Sequence, residues 1–254
     1  MPVFVLTRQL VAQLSLVGMG FDLLGGCYLS YDLLGGKKGP LRTITRAINY
    51  VAVFFVGYTA VLGLKYGVVA AAGMGALLAL EIRFAESKSE PGSVDRRFVL
   101  LLGFLRGLVL GLASVAIAGP GFGILFGVFS GLGLVFFYSI GLAPLDDYDG
   151  GHMPRVTRHR ALATLSRAVA VSVGGLLAGF LTRHDGDWVS LGLRLGVAAG
   201  TVSALVGLAS PIIEWRIENM PERRLGIAGL IMILIGVVFQ SVQYWAVVLD
   251  WATN

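Results

Sequence analysis

Asp22 sits in the run GFDLLGGCYLSYDLLGG (residues 20–36), an acid among apolar neighbours. A carboxylate near the centre of a bilayer costs about 2.5–3.5 kcal/mol by insertion scales, so it must meet a partner, face water or carry a proton. Gln240 stands at comparable depth in the last apolar run, and Gln243 lies one turn further out. A carboxyl–carboxamide bond between the first and last runs would satisfy Asp22 and Gln240 together. The other reading makes these residues a binding place for a proton, a cation or a cationic solute. Asp32 repeats the local wording (YDLLGG after FDLLGG) but precedes Lys37 and Lys38, where water makes its charge inexpensive. Ten residues on a helix also leave the two aspartates about 80° apart.

Four further charges lie within or beside apolar runs. Arg106 and Arg167 fall roughly two turns inside their runs, and Glu81 and Glu214 occupy comparable depth. Arginines so placed either snorkel to the interface or line a basic vestibule that attracts anions or lipid headgroups. The pairs Glu81–Arg46 and Glu214–Arg167 are the ion pairs this spacing suggests. SPIIEW (210–215) adds a proline that marks either a kink or a helix end.

Other chemistry finds little support. P-loop, nucleophile-elbow, H-E-x-x-H and C-x-x-C patterns are absent. LDDYDGGH (145–152) holds Asp146, Asp147 and Asp149, but Leu145 and Val156 occupy the first and last positions of a calcium loop. It reads as a solvated loop. His152, His159 and His184 form no ligand cluster, and the lone Cys27 reads as a small buried hydrophobe. The expectation is no cofactor, no metal and no enzymatic activity; a lipid-acting enzyme ranks third among readings.

The elements that must position these residues follow from composition. Of 254 residues, 56% are hydrophobic, 14% charged and 36 are glycine. Soluble domains carry about 25% charged residues and about 7% Gly, so the chain reads as a polytopic membrane protein rich in close-packed helices. Stretches able to cover about 30 Å of hydrocarbon fall at 9–34, 47–64, 67–83, 98–118, 122–142, 161–182, 189–213 and 225–250. LKYG joins the second to the third, and AGPGFG the fourth to the fifth. The expected fold is thus an all-α integral membrane protein of about eight transmembrane helices, a single polytopic domain over 1–254. Three Gly-rich hairpins (46–83, 98–142 and 160–213) are framed by single first and last helices. RAI, RGL and RAV open the hairpins at Arg46, Arg106 and Arg167, and LGLKYGVVAA aligns with LGLRLGVAAG, hinting at internal repetition.

Lys and Arg set the expected orientation. Connections after the odd-numbered spans hold Lys37, Lys38, Arg42, Arg46, Arg83, Lys88, Arg96, Arg97, Arg155, Arg158, Arg160, Arg216, Arg223 and Arg224, fourteen of the twenty. Only Arg8, Lys65 and Arg183 lie on the other side, and Arg106, Arg167 and Arg194 fall within spans. The positive-inside rule places the fourteen in the cytoplasm and both termini outside a cytoplasmic membrane. The net charge of +5 is therefore a topology signal, and nucleic acid is not an expected partner. The expected partners are the lipid bilayer and either further copies of the chain or other membrane proteins. The function expected is a small permease or channel-like protein; the alternative is a scaffold subunit that docks partners through Gly-rich faces and basic loops.

Overall fold

The computed structural model describes residues 7–33, 42–86, 96–142, 156–182 and 186–248. Among them it contains seven helices and no strand: α1 (Arg8–Leu33), α2 (Arg42–Leu62), α3 (Leu64–Glu86), α4 (Arg96–Ser139), α5 (Arg158–Thr182), α6 (Gly186–Asn219) and α7 (Glu222–Val248). All seven are long and apolar enough to cross a membrane, which makes this an all-α, multi-pass membrane protein. Seven rather than eight is the count because α4 runs through AGPGFG. Its apolar stretch of 40 residues would be about 60 Å long if straight, twice the hydrocarbon thickness. It is not straight. Gly119 adopts φ 83° and ψ 171° ahead of Pro120, a backbone conformation that only glycine enters without strain. The helix reverses there, and its two arms lie against each other: Gly107 faces Gly127 and Gly131, Gly111 faces Gly123 and Gly127, and Gly103 faces Tyr138.

The other turns show the same economy. Gly63 (φ 85°) separates α2 from α3, so the turn precedes LKYG and Lys65 lies in the first turn of α3. The end of α4 is closed by the Leu142 N–H donating to Phe137 O (3.0 Å) and Gly141 N–H to Tyr138 O (3.1 Å). With Gly141 at φ 91° this is a Schellman cap. Thr7 and Thr157 cap α1 and α5, their hydroxyls accepting from the Leu10 and Arg160 N–H groups. α6 continues past Pro211 to Asn219, so that proline is not the helix end.

The chain packs as two compact units, Met1–Ile48 with Ile217–Asn254, and Asn49–Arg216. In the first, α1 and α7 lie side by side. Gly18 abuts Gly236, Gly25 abuts Gly229, and Phe21 meets Phe239 edge-on at 6.0 Å between ring centres. In the second, neighbours follow chain order. Gly75 meets Val51 between α3 and α2, and Gly73 meets Val109 between α3 and the first arm of α4. Gly133 meets Ala170 and Gly174 meets Ser130, which joins the second arm to α5. Gly175 meets Gly192 and Gly196, joining α5 to α6. Gly57 against Val202 returns α6 to α2, so six helical segments close on themselves.

Burial is distributed as a bilayer requires. On α5 the small residues Ala163, Ser166, Ala170, Gly174 and Ala178 point inward, while Leu165, Val169, Val173 and Phe180 are exposed. Small side chains bring backbones together, and large apolar ones meet lipid at no cost. The interior of the second unit is filled by Tyr50, Phe54, Tyr58, Tyr66, Phe122 and Phe126, each nearly or fully buried. Trp188 packs against that core, its ring 6.5 Å from that of Phe122.

The glycine contacts between the arms of α4 are directly testable. An added Cβ on Gly111 would stand 2.5 Å from Gly127 Cα, so Gly111→Val is expected to lower stability by about 1–3 kcal/mol through overpacking. Gly121, with nothing within 4 Å of an added Cβ, should accept alanine without loss. Thermal unfolding of the purified variants checks both; equal midpoints would refute the packing.

Candidate functional site

In the first unit, α1 and α7 bring Asp22 and Gln240 together: the Gln240 amide donates to Asp22 Oδ2 at 2.5 Å. Gln243, one turn on, accepts from the Ser15 hydroxyl at 3.4 Å. The second carboxylate oxygen, Asp22 Oδ1, is buried without a hydrogen-bond partner. It lies where a side chain on residue 236 would project, so Gly236 is the residue that leaves it room. The side chains of Asp32 and Glu214, and the whole of 145–152 with Asp146, Asp147 and Asp149, fall outside the described residues.

The second unit holds a larger set. Arg106, on the first arm of α4, is buried (2% exposed). Its Nη1 donates to Tyr138 Oη at 2.8 Å, and its Nη2 pairs with Glu81 of α3. Glu81 thus meets Arg106, a pairing that its depth alone did not single out. Tyr138 belongs to the second arm of α4 and reaches Arg106 only because the chain reverses at Gly119.

Arg160 and Arg167 come from α5. Arg160, counted above as a loop charge, is buried on the first turn of the helix. Its Nε and Nη2 donate to the carbonyl oxygen of Gly207 on α6 at 3.3 and 3.1 Å. Arg167 is buried too, and its Nε has no partner. Its Nη1 approaches Gly207, standing 2.9 Å from where a Cβ on that residue would be. Arg106, Arg160, Glu81 and Tyr138 all act electrostatically on Arg167. Arg46, which belongs to the first unit, is also buried, on α2, and is a helix residue rather than a loop one.

Beyond the arginines the interior remains polar. Tyr58 and Ser203 share a hydrogen bond of 2.7 Å, and Tyr58 feels the charges of both Arg106 and Arg167. The ring of Tyr66 meets that of Tyr58 edge-on at 5.6 Å and lies beside Ser114. A file of buried polar side chains therefore runs from Tyr66 near the start of α3 to Glu81 near its end. The sequence carries one signal for Arg160: it precedes Arg167 by seven residues, two turns on one helix face. Tyr58 and Ser203, 145 positions apart, leave no such local trace.

No family model, curated protein or solved structure matches the chain.

The Arg106 arrangement predicts a specific pattern of stabilities. Glu81→Gln strands a buried guanidinium and is expected to cost about 3 kcal/mol. Tyr138→Phe removes one hydrogen bond to a charged group, at about 1.5 kcal/mol. The double variant Glu81→Met, Arg106→Met should recover most of the loss, because an apolar pair leaves no uncompensated charge. Denaturant titration in mixed micelles distinguishes these; a double variant as unstable as the sum of its singles would contradict the pairing.

Proposed function

We propose that the chain is a small permease or channel-like protein moving an ion or small solute across a cytoplasmic membrane. The observation that carries this reading is the file of buried polar side chains through the second unit, from Tyr66 and Ser114 past Tyr58 and Ser203 to Arg167, Arg106 and Glu81. Hydrocarbon makes each such group costly, and charges retained within spanning helices characteristically mark substrate or ion pathways. Binding places near mid-membrane between repeated helical units are also how many transporters are built. In this reading the two arms of α4 cross the membrane separately, giving eight spans, three repeated hairpins and both termini outside. The basic connections, and with them the end of the file at Glu81 and Arg160, then face the cytoplasm.

The alternative is a scaffold subunit, favoured by one observation. Asp22, the acid most exposed to lipid cost, is bonded to Gln240 and packed on Gly236, as a structural clip would be. Mild detergent extraction separates the readings. A permease is expected to purify as a monomer or homo-oligomer and to support solute flux in proteoliposomes; stoichiometric partner proteins and no flux would favour the scaffold.

Two expectations follow for cells and vesicles. In a Cys27→Ser background, cysteines placed at Ser89 and His152 should resist an impermeant thiol reagent while one at Asp185 labels; labelling at Ser89 would reverse the orientation. Asp22→Asn keeps a hydrogen-bonding head for Gln240, so it should fold with an unchanged unfolding midpoint and retain wild-type flux. Loss of proton-dependent flux in a folded Asp22→Asn protein would instead make Asp22 a proton carrier.

A further inference from the structure

Arg106 stands in a polar cluster built from three helical segments of the second unit. Its Nη2 pairs with the Glu81 carboxylate of α3, and its Nη1 donates to Tyr138 Oη on the second arm of α4 at 2.8 Å. A guanidinium keeps its proton under all ordinary conditions, so in the interior it needs an anion beside it. The anion it holds is a carboxylate. Tyr138 adds a second donor to the same place. Its Oη accepts from Arg106, which leaves the phenol O–H to donate. Tyr138 is 4% exposed, and among the described residues no group accepts that O–H. A guanidinium fork and a phenol O–H side by side are donors that the two oxygens of one carboxylate can take together. Glu81 differs from Arg106 in burial: its side chain is 16% exposed against 3%, and it lies near the end of α3. The acid is therefore the member of the cluster that can turn to water and recover its hydration.

We propose that Arg106 and Tyr138 form a binding site for the carboxylate of a small monocarboxylate anion, and that Glu81 occupies this site when no solute is bound. The side chain already in place defines the ligand chemistry, since what fits there is a carboxylate. Exchanging one carboxylate for another conserves the charge pair, so neither state strands the buried guanidinium. A neutral solute offers Arg106 no counter-charge and leaves Glu81 where it is. The inference deepens the permease reading and rests on it for the use of the site: monocarboxylates are the solutes admitted at the Glu81 end of the file.

The test uses full-length protein in phosphatidylcholine nanodiscs at pH 7, with sodium formate or sodium pyruvate replacing sodium chloride at constant ionic strength. Binding to the folded state raises its unfolding midpoint, so the wild-type midpoint is expected to rise saturably with either anion. Glu81→Ala removes the competing side chain. Its midpoint should start lower and respond at about tenfold lower formate concentration than the wild type. Adding Tyr138→Phe to it should weaken the response about tenfold, through loss of one hydrogen bond to a charged group. Adding Arg106→Met should abolish it. If Glu81→Ala does not fold, wild type against Tyr138→Phe in pyruvate decides, with the same tenfold difference expected. A purely structural ion pair gives no wild-type response to either anion, and that result overturns the exchange. A response that Tyr138→Phe and Arg106→Met leave unchanged overturns the site. Flux of labelled pyruvate into proteoliposomes separates the two readings. Binding that depends on Arg106 without flux retires the permease reading and keeps the site; flux without such binding does the reverse.

Discussion

A polar group carried into hydrocarbon has no water to turn to, and every polar feature of this chain is arranged around that fact. The backbone answers it by being helical over all but the caps and turns of the described residues. Side chains answer it locally where they can: Ser114, Thr164, Ser166 and Thr182 each donate to a carbonyl three or four residues back on their own helix. Groups too strongly polar for that remedy need another helix. Asp22 finds Gln240 on α7, Arg106 finds Glu81 and Tyr138, and Arg160 finds the Gly207 carbonyl. Each bond ties together segments that are distant in sequence, so the solvent's inability to hydrate becomes a rule about which helices must be neighbours.

Those bonds are short enough to form only because the helices approach closely, and glycine supplies the approach. Bulk apolar residues face outward, where lipid accepts them, and gain nothing by turning in. Helix contact is therefore governed by shape, with Gly107 on Gly131 and Gly175 on Gly192 bringing backbones nearly into touch. At that separation a long arginine on one helix can lie along its neighbour instead of reaching for the interface. Arg106 and Arg167, two turns within their runs, could each have snorkelled to water. Both are instead buried inside the second unit.

What the sequence makes legible divides along the same physical line. Helices, their apolar lengths and the glycine turns are local properties, and they can be read from composition and run length. Asp22 and Gln240 could be matched because each is an isolated polar residue at similar depth, with few candidates to choose from. The span count differs at α4, where Gly119 reverses the chain yet the helical hydrogen bonding resumes at once on either side. Arg160 was misjudged because a charge count assigns helix-end arginines to loops by default, whereas burial depends on the face they occupy. Its partner is a backbone carbonyl on α6, which has no letter in the sequence. Tyr138 and Ser203 escaped for a related reason: an aromatic or a serine in a membrane helix is unremarkable until its neighbour across the bundle is known.

Among the described residues an aspartate and an arginine each keep a buried atom without a hydrogen-bond partner, and their surroundings give the two different meanings. Asp22 Oδ1 lacks a partner, but it rests against Gly236 and its sister oxygen is already bonded, so the carboxylate is sealed between two helices. A single unused acceptor on a group that can take up a proton is a modest debt. Arg167 Nε is a donor on a group that cannot shed its charge, set beside Arg160 and Arg106. Glu81 acts on the same group from α3, while the Nε stays without a hydrogen bond in the interior. The burden of explanation therefore falls on the arginines rather than on the aspartate. Packing between α1 and α7 accounts for the aspartate, and it leaves the Nε of Arg167 without a comparable account.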